Sequence, residues 1–403
     1  MKSKNGTSAP VPGIARQLPR NVWALGLVSM FMDISSELVH SLLPIFMTSV
    51  LGSSMLTIGI VEGIAEAIAS ISKVFSGALS DYFGKRKPLI LLGYGLSAAT
   101  KPIFPMASSI ISVAAARFVD RVGKGVRGAP RDALIADVTP AHLRGAAYGL
   151  RQALDSVGAV LGPLAAILSM ALLNDVKAVF WVAVVPAVIA VTLLATVVKE
   201  PEQSVSSAGA TQSRLRDVAR LGWDFWLIVV LGAIFTLARF SEAFLILRAQ
   251  SVGMSIVFVP IVMVAMNVAY SGLAYPAGRA SDNVSYRTML LSGLMVLILA
   301  DLILATATSS ATVVLGATLW GLHMALTQGL FSKLVADTAP ADLRGSAFGV
   351  FSLVTGISVL LASAIAGALW NSWGPSATFF AGSIFAAATA IGLALVRRYE
   401  SFT

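Results

Sequence analysis

Cysteine is absent from this chain of 403 residues, so disulfides, thiolate metal sites and cysteine nucleophiles are excluded together. Histidine is scarce: the three residues His40, His142 and His323 form no metal-ligand spacing, and no metal site is expected. Charge is thin as well, at 12% of residues, where a soluble domain carries about 25%. No glycine-rich phosphate loop with its lysine follows a strand pattern, which argues against direct ATP use. No serine–histidine arrangement points to hydrolysis, so the chain reads as non-enzymatic and without a cofactor.

Apolar residues fill the space that charge leaves: 57% of the chain, with mean hydropathy +0.83. About 20 consecutive apolar residues cross the hydrocarbon core of a bilayer as a helix. Twelve runs qualify, near 22–50, 56–80, 88–107, 109–135, 144–172, 177–198, 223–249, 256–278, 288–307, 311–336, 344–370 and 376–396. The expected fold class is all-α integral membrane, with 12 transmembrane helices in contact with the lipid bilayer. Alternate loops carry the basic residues: Lys2, Lys4, Arg16 and Arg20, then Lys85, Arg86 and Lys87, then Arg144, Arg214, Arg216, Arg220, Arg287, Arg344, Arg397 and Arg398. The loops between them, near 51–55, 108–111, 308–310 and 371–375, carry no charge. This alternation predicts a multi-pass protein of a bacterial inner (plasma) membrane with both termini cytoplasmic. The net charge of +9 is then positive-inside bias, and no nucleic-acid partner is expected, since no basic patch has interleaved aromatics.

Two stretches 200 residues apart nearly coincide. Residues 134–149 read LIADVTPAHLRGAAYG and residues 334–349 read LVADTAPADLRGSAFG, identical at ten of sixteen positions. A second pair, GALSDYFGKR from Gly77 and GRASDNVSYR from Gly278, keeps an offset of 201. The chain is a tandem duplication, and repeated halves in a very apolar chain are the mark of a transporter. The domain organisation read from this is a disordered tail over 1–21, a six-helix bundle over 22–198, and a polar linker over 199–222. A second six-helix bundle over 223–397 and a short tail over 398–403 complete it.

The loop from Gly77 through Asp81, Gly84, Lys85 and Arg86 resembles the signature loop of the major facilitator superfamily, and the resemblance covers essentially the whole chain. The repeated A-D-x-x-P-x-x-x-R-G, at Asp137–Gly145 and Asp337–Gly345, resembles that superfamily's loops after its fourth and tenth helices. The resemblance implies two pseudo-symmetric six-helix bundles around a midplane cavity, monomeric as is usual for the superfamily. It also implies a charge-relay lock from Asp81, Asp137 and Arg144, with Asp282, Asp337 and Arg344 as its second copy; the plainer alternative is that these charges only set topology. Gly158, Gly162 and Pro163 on the fifth span resemble the antiporter motif found mainly in exporters, although Leu164, Ala165 and Ala166 replace its usual trailing glycines. Glycines at i and i+4 let two helices touch, and a proline bends its helix.

Charge inside the membrane is costly and therefore informative. On the fourth span Arg117, Asp120, Arg121, Lys124, Arg127, Arg131 and Asp132 share an arc of about 140° at 100° per residue. Arg121 with Gly125 and Gly128 resembles the superfamily's fourth-helix motif, whose arginine is linked to proton coupling. On the first span Asp33, Ser36, Glu37 and His40 cover about 100° of one face, so Glu37 and Asp33 are candidate proton-coupling carboxylates and His40 a candidate relay. Facing Arg121 or Lys124, they could equally form a static salt bridge. Asp155 pairs by spacing with Arg151, and Arg239 with Glu242 at i+3 on a continuous seventh span. At offset 200 the basic stripe is lost on the tenth span, where Arg117, Asp120, Arg121 and Lys124 become Ala317, Trp320, Gly321 and Met324, and what remains is apolar plus His323, Gln328 and Lys333. Ionic coupling is thus expected from the first half and apolar or aromatic substrate contact from the second.

These observations predict a secondary transporter working by alternating access, exporting a small organic solute or drug in exchange for protons, with the proton gradient as its energy source. The alternative is a carrier for an organic anion, siderophore or metal–citrate complex recognised by the basic stripe. A non-transporting receptor fits less well, because it has no need of two gating loops.

Overall fold

In lipid every backbone N–H and C=O must find its partner within the chain, which leaves helices for the apolar runs. The computed structural model describes residues 18–83, 85–200, 221–280, 284–327, 330–340 and 343–395, with side chains at all of these except 78, 81–83, 332, 333, 344 and 345. Their regular structure is entirely helical and forms twelve antiparallel spans. The first half contains α1 (Arg20–His40, continued by Leu43–Ile45 and a π-helical turn Phe46–Val50), α2 (Met55–Phe83) and α3 (Lys87–Thr100 with Ile103–Met106). It is completed by α4 (Ile110–Val138), α5 (Arg144–Leu173) and α6 (Val176–Val182 with Val184–Thr196). The second half contains α7 (Trp223–Leu237 with Ala243–Ser251), α8 (Ile261–Ala280) and α9 (Tyr286–Thr306). It closes with α10 (Ser310–Thr327 with Leu330–Thr338), α11 (Arg344–Trp373) and α12 (Pro375–Leu395).

Ten of these spans are long and apolar enough to cross a membrane on length and composition alone. The other two are α4, which carries the charged stripe, and α7, whose longer piece has only 15 residues. Several spans expected to be continuous are broken, α1 and α7 among them. In α1 the helix stops at His40, because Pro44 has no N–H to return to the carbonyl four residues back. In α7 residues 238–242 leave the helix without help from proline or glycine. The freed Ser241 N–H is instead taken by the Ser363 hydroxyl of α11 at 3.1 Å, and the Ser241 hydroxyl accepts from Ala243 N at 3.2 Å. The Arg239–Glu242 spacing is therefore not helical, and no salt bridge joins the two among the described residues.

The halves meet along α2 with α11 and along α5 with α8, two contacts exchanged by the internal repeat. The end carrying the Lys85–Lys87 and Arg144 loops is the basic face, and the opposite end is the far face. Toward the far face α2 and α11 touch backbone to backbone: a Cβ on Gly59 would collide with the Ser363 carbonyl, and one on Gly367 with the Met55 carbonyl. Toward the basic face the spacing relaxes, so that a Cβ on Gly356 would sit 3.5 Å from Ala67 and one on Gly349 3.6 Å from Val74. The apolar core repeats the asymmetry. One far-face core takes Phe46 and Ile58 from the first half together with Phe244, Val262 and Ala366 from the second, whereas near the basic face each half has its own. Gln250 adds a cross-half hydrogen bond to Ser49 at 2.9 Å. The molecule is closed at the far face and wedged open toward the basic one.

Candidate functional site

The site begins where α1 lies on α5. A Cβ on Gly158 would sit 2.6 Å from the Met30 carbonyl and 2.9 Å from the Asp33 Cβ, and one on Gly162 would sit 2.7 Å from the Glu37 Cβ and 2.9 Å from the Ile34 carbonyl. The two glycines of the antiporter-like motif thus seat α5 against the two turns of α1 that bear Asp33 and Glu37. Pro163 follows within α5 without ending the helix.

Arg117 and Arg121 of α4 each have an acidic partner, on α2 and not on α1. The Arg117 guanidinium donates twice to Glu62 of α2, at 3.1 and 2.7 Å, with both side chains fully buried. Lys101 of α3 donates to Asp120 at 3.0 Å and to the Ser36 hydroxyl at 3.0 Å. Arg121 pairs with Glu66 of α2 at 3.1 Å. His40 stands between two carboxylates, 3.7 Å from Glu37 and 3.8 Å from Glu62, so α1, α2 and α4 share one ionic cluster. Toward the basic face Arg127 donates to Ser97 at 2.5 Å and lies 4.7 Å over the Tyr94 ring. Arg151 pairs locally with Asp155 at 3.0 Å and reaches Asp132 at 3.6 Å.

A cavity of about 400 Å³ lies between the halves, walled by Glu37, His40, Glu66, Arg121 and Lys124 from the first and by Arg239, Phe240, Glu242, Asn267 and Trp320 from the second. Lys124 is exposed to it, and neither Lys124 nor Arg239 forms a salt bridge among the described residues. Arg239 rests over the Phe235 ring at 5.5 Å. The second half therefore brings the expected aromatic surface together with the charges of Arg239 and Glu242.

Five expected cavity residues lie elsewhere. Arg117 and Asp120 are buried behind the wall, each in an ion pair, because the stripe is wide enough that its inner edge faces α2 and α3. Asp33 is one turn nearer the basic face than Glu37, against Gly158. Asp155 is held by Arg151. His323 is fully buried, with Nδ1 2.9 Å from the Gly293 carbonyl of α9 and its ring against Phe235, so it faces into its own bundle. Glu62, Glu66 and Lys101 were not among the expected residues. The signal was available, since each is a charge inside an apolar run.

At the basic face Arg86 is 3.4 Å from Asp137 and donates to Ser80 at 2.7 Å. Glu200 accepts the backbone N–H groups of Arg86 and Lys87 at 2.6 and 2.8 Å, placing a carboxylate on the N-terminus of α3. Gly77 packs on Ala129 of α4 at ordinary contact, and Lys85 is exposed. Arg144 and Asp337 are exposed, with no salt bridge among the described residues. Asp137 is thus held by Arg86, where Arg144 had been expected. Gly84 and Asp282, and the side chains of Asp81 and Arg344, lie outside the described residues.

The family model described as Major Facilitator Superfamily matches residues 25–261 and 240–401. An uncharacterized MFS-type transporter of Methanocaldococcus jannaschii is 34% identical over 378 residues, covering 92% of this chain and 93% of that one. A multidrug resistance protein, MdtH of Yersinia pestis, is 32% identical over 126 residues, 31% of either chain. Among solved structures, a POT family transporter in complex with a thioalcohol-conjugated peptide superposes with TM-score 0.79 over 96% of this chain and 100% of that one, at 12% identity.

Proposed function

Because the chain belongs to the Major Facilitator Superfamily and is a multi-pass membrane transporter, not an enzyme, we propose that it exports a small organic solute in exchange for protons. The observation that carries this reading is the α1–α5 contact, where the glycines of the antiporter-like motif lie directly on the Asp33 and Glu37 turns. A carboxylate whose backbone is fixed by one helix and whose side chain faces the cavity can exchange a proton for a substrate group in the same space. Glu37 is that carboxylate, and His40 links it to the buried Glu62–Arg117 pair. The far-closed form is then the state loaded from the cytoplasm, with both termini on the cytoplasmic side of the inner membrane. The partial similarity to a multidrug resistance protein points in the same direction. The protein acts as a monomer and draws on the proton gradient alone.

A second reading has one observation in its favour: Lys124 and Arg239 both reach the cavity and, among the described residues, neither forms a salt bridge. An organic anion or metal–citrate complex would supply the missing charge.

Ligand-induced thermal stabilisation separates the two. Purified protein, with Glu37→Gln and Lys124→Ala beside it, is screened at pH 6 and pH 8 against lipophilic cations, organic anions and metal–citrate complexes. A ligand at about 100 times its Kd stabilises by about 2.7 kcal/mol, well within reach of such a screen. Exchange predicts cationic hits that strengthen at pH 8 and vanish in Glu37→Gln. Anionic hits that vanish in Lys124→Ala and ignore Glu37→Gln would replace it with the second reading.

A further inference from the structure

The internal repeat locates a residue that plays no part in the site above. At the offset of 200, Gly93 of α3 corresponds to Gly293 of α9, Lys101 to Asp301, and Asp120 of α4 to Trp320 of α10. In the first half Lys101 and Asp120 form a buried ion pair at 3.0 Å. In the second half the ionisable position is kept with its sign reversed, and its partner has become an indole. Asp301 is fully buried, and neither carboxyl oxygen has a hydrogen-bond partner among the described residues.

Among the described residues, the surroundings of Asp301 offer no countercharge. α12 carries no charged residue between Pro375 and Leu395; it offers Gly382, where a Cβ would sit 2.6 Å from Asp301 Oδ2. α10 offers His323, whose ring is engaged at Gly293, two turns away. α7 offers Arg239 and Glu242 at the cavity, and Arg248, whose guanidinium is committed to the carbonyls of Leu304, Ala305 and Ala307. On α9 itself the other charged residue is Arg287, four turns away. The remaining neighbour is the Phe240 ring, which lies within reach of the same Gly382 position. Phe240 packs on Trp320 at 5.3 Å and on Phe379 at 5.5 Å, and all three belong to the apolar core that closes the far face.

An ionised carboxylate in this place would lose its water without a charge or donor among the described residues to replace it. A metal cation would fare no better, since a hard cation needs several ligands and the described residues hold no cluster of acidic side chains for one. A proton is the ligand that fits. We propose that Asp301 is a second proton-binding site, in the C-terminal half, which holds its proton while the far face is closed and exchanges it when the aromatic plug of Phe240, Trp320 and Phe379 parts. The proposal rests on the proton-coupled reading and adds a site to it, remote from Glu37.

The test needs no substrate. Infrared difference spectra of the full-length protein at pH 8, against Asp301→Asn and Asp301→Leu, report whether a protonated carboxyl is present. The expected result is a carboxylic-acid carbonyl band that either substitution abolishes, that shifts in Gly382→Ala, and that is indifferent to replacing sodium with choline. Hydrogen–deuterium exchange of that band then reports access. Ser70→Cys with Gly356→Cys would place two Cβ atoms 3.8 Å apart, a disulfide distance, and so lock α2 to α11 in the far-closed form. Exchange should slow in the oxidised pair and recover on reduction. Absence of the band at pH 8, its dependence on sodium, or equal exchange in locked and free protein would each overturn the proposal. The Glu37 reading is judged by ligand binding alone, so either can fail without the other.

Discussion

Glu62 and Arg117 form a two-pronged ion pair with both side chains fully buried, inside a protein that is itself inside lipid. Removing one partner from such a pair leaves an uncompensated charge and costs about 3–5 kcal/mol, whereas replacing both with apolar groups of similar size is often close to neutral. Glu62→Leu alone should therefore lower the stability of the detergent-purified protein by about that amount, and Glu62→Leu with Arg117→Met should recover most of it. Recovery would identify the pair as a structural post behind the cavity. A double variant as unstable as the single one would show that His40, 3.8 Å from Glu62, also depends on that carboxylate. The cation was legible in the sequence because it sits on a stripe of seven charges. The pairing was not, since a helical wheel fixes faces and not neighbours. The isolation of Asp301 was not legible for a related reason: a single acid in a long apolar run weighs little until the fold shows that no described residue pairs with it.

At the scale of elements, glycines decide where the helices touch. Gly59 and Gly367 allow the α2 and α11 backbones to meet near the far face, a contact no side chain could share. Gly59→Val should then push the population away from the far-closed form. Spin-label distances across the far face should lengthen and those across the basic face shorten, while Gly95→Val, with open space around its Cβ position, should change neither. Unchanged distances in Gly59→Val would mean that the α2–α11 contact does not gate the far face. The helical spans were legible because apolar length reports them directly. So was the role of Gly158 and Gly162 as a contact, though not that α1 is the helix they receive. The break in α7 was not legible. Residues 238–242 contain no helix breaker, and the hydroxyl of Ser363 that accepts the freed N–H comes from a helix more than a hundred residues away.

The whole molecule is a lever with two arms, fixed at one end by a shared apolar core and separated at the other. The absence of cysteine makes this state measurable without altering the background. The Ser70→Cys/Gly356→Cys pair spans the halves on the basic side of the tight contact, at a separation that disulfide geometry accepts. Its rate of oxidation counts how often α2 and α11 approach as they do here. Oxidation should be rapid in the otherwise native chain and equally rapid with Gly95→Val added. With Gly59→Val it should slow as the far-closed population falls, because a population reduced by a given factor reacts more slowly by the same factor. Equal rates in all three would mean that α2 and α11 keep this spacing throughout the cycle. The rocking would then pivot at their contact, and the gate would have to lie along α5 and α8, where Asn267 donates to the Ala159 carbonyl at 3.0 Å.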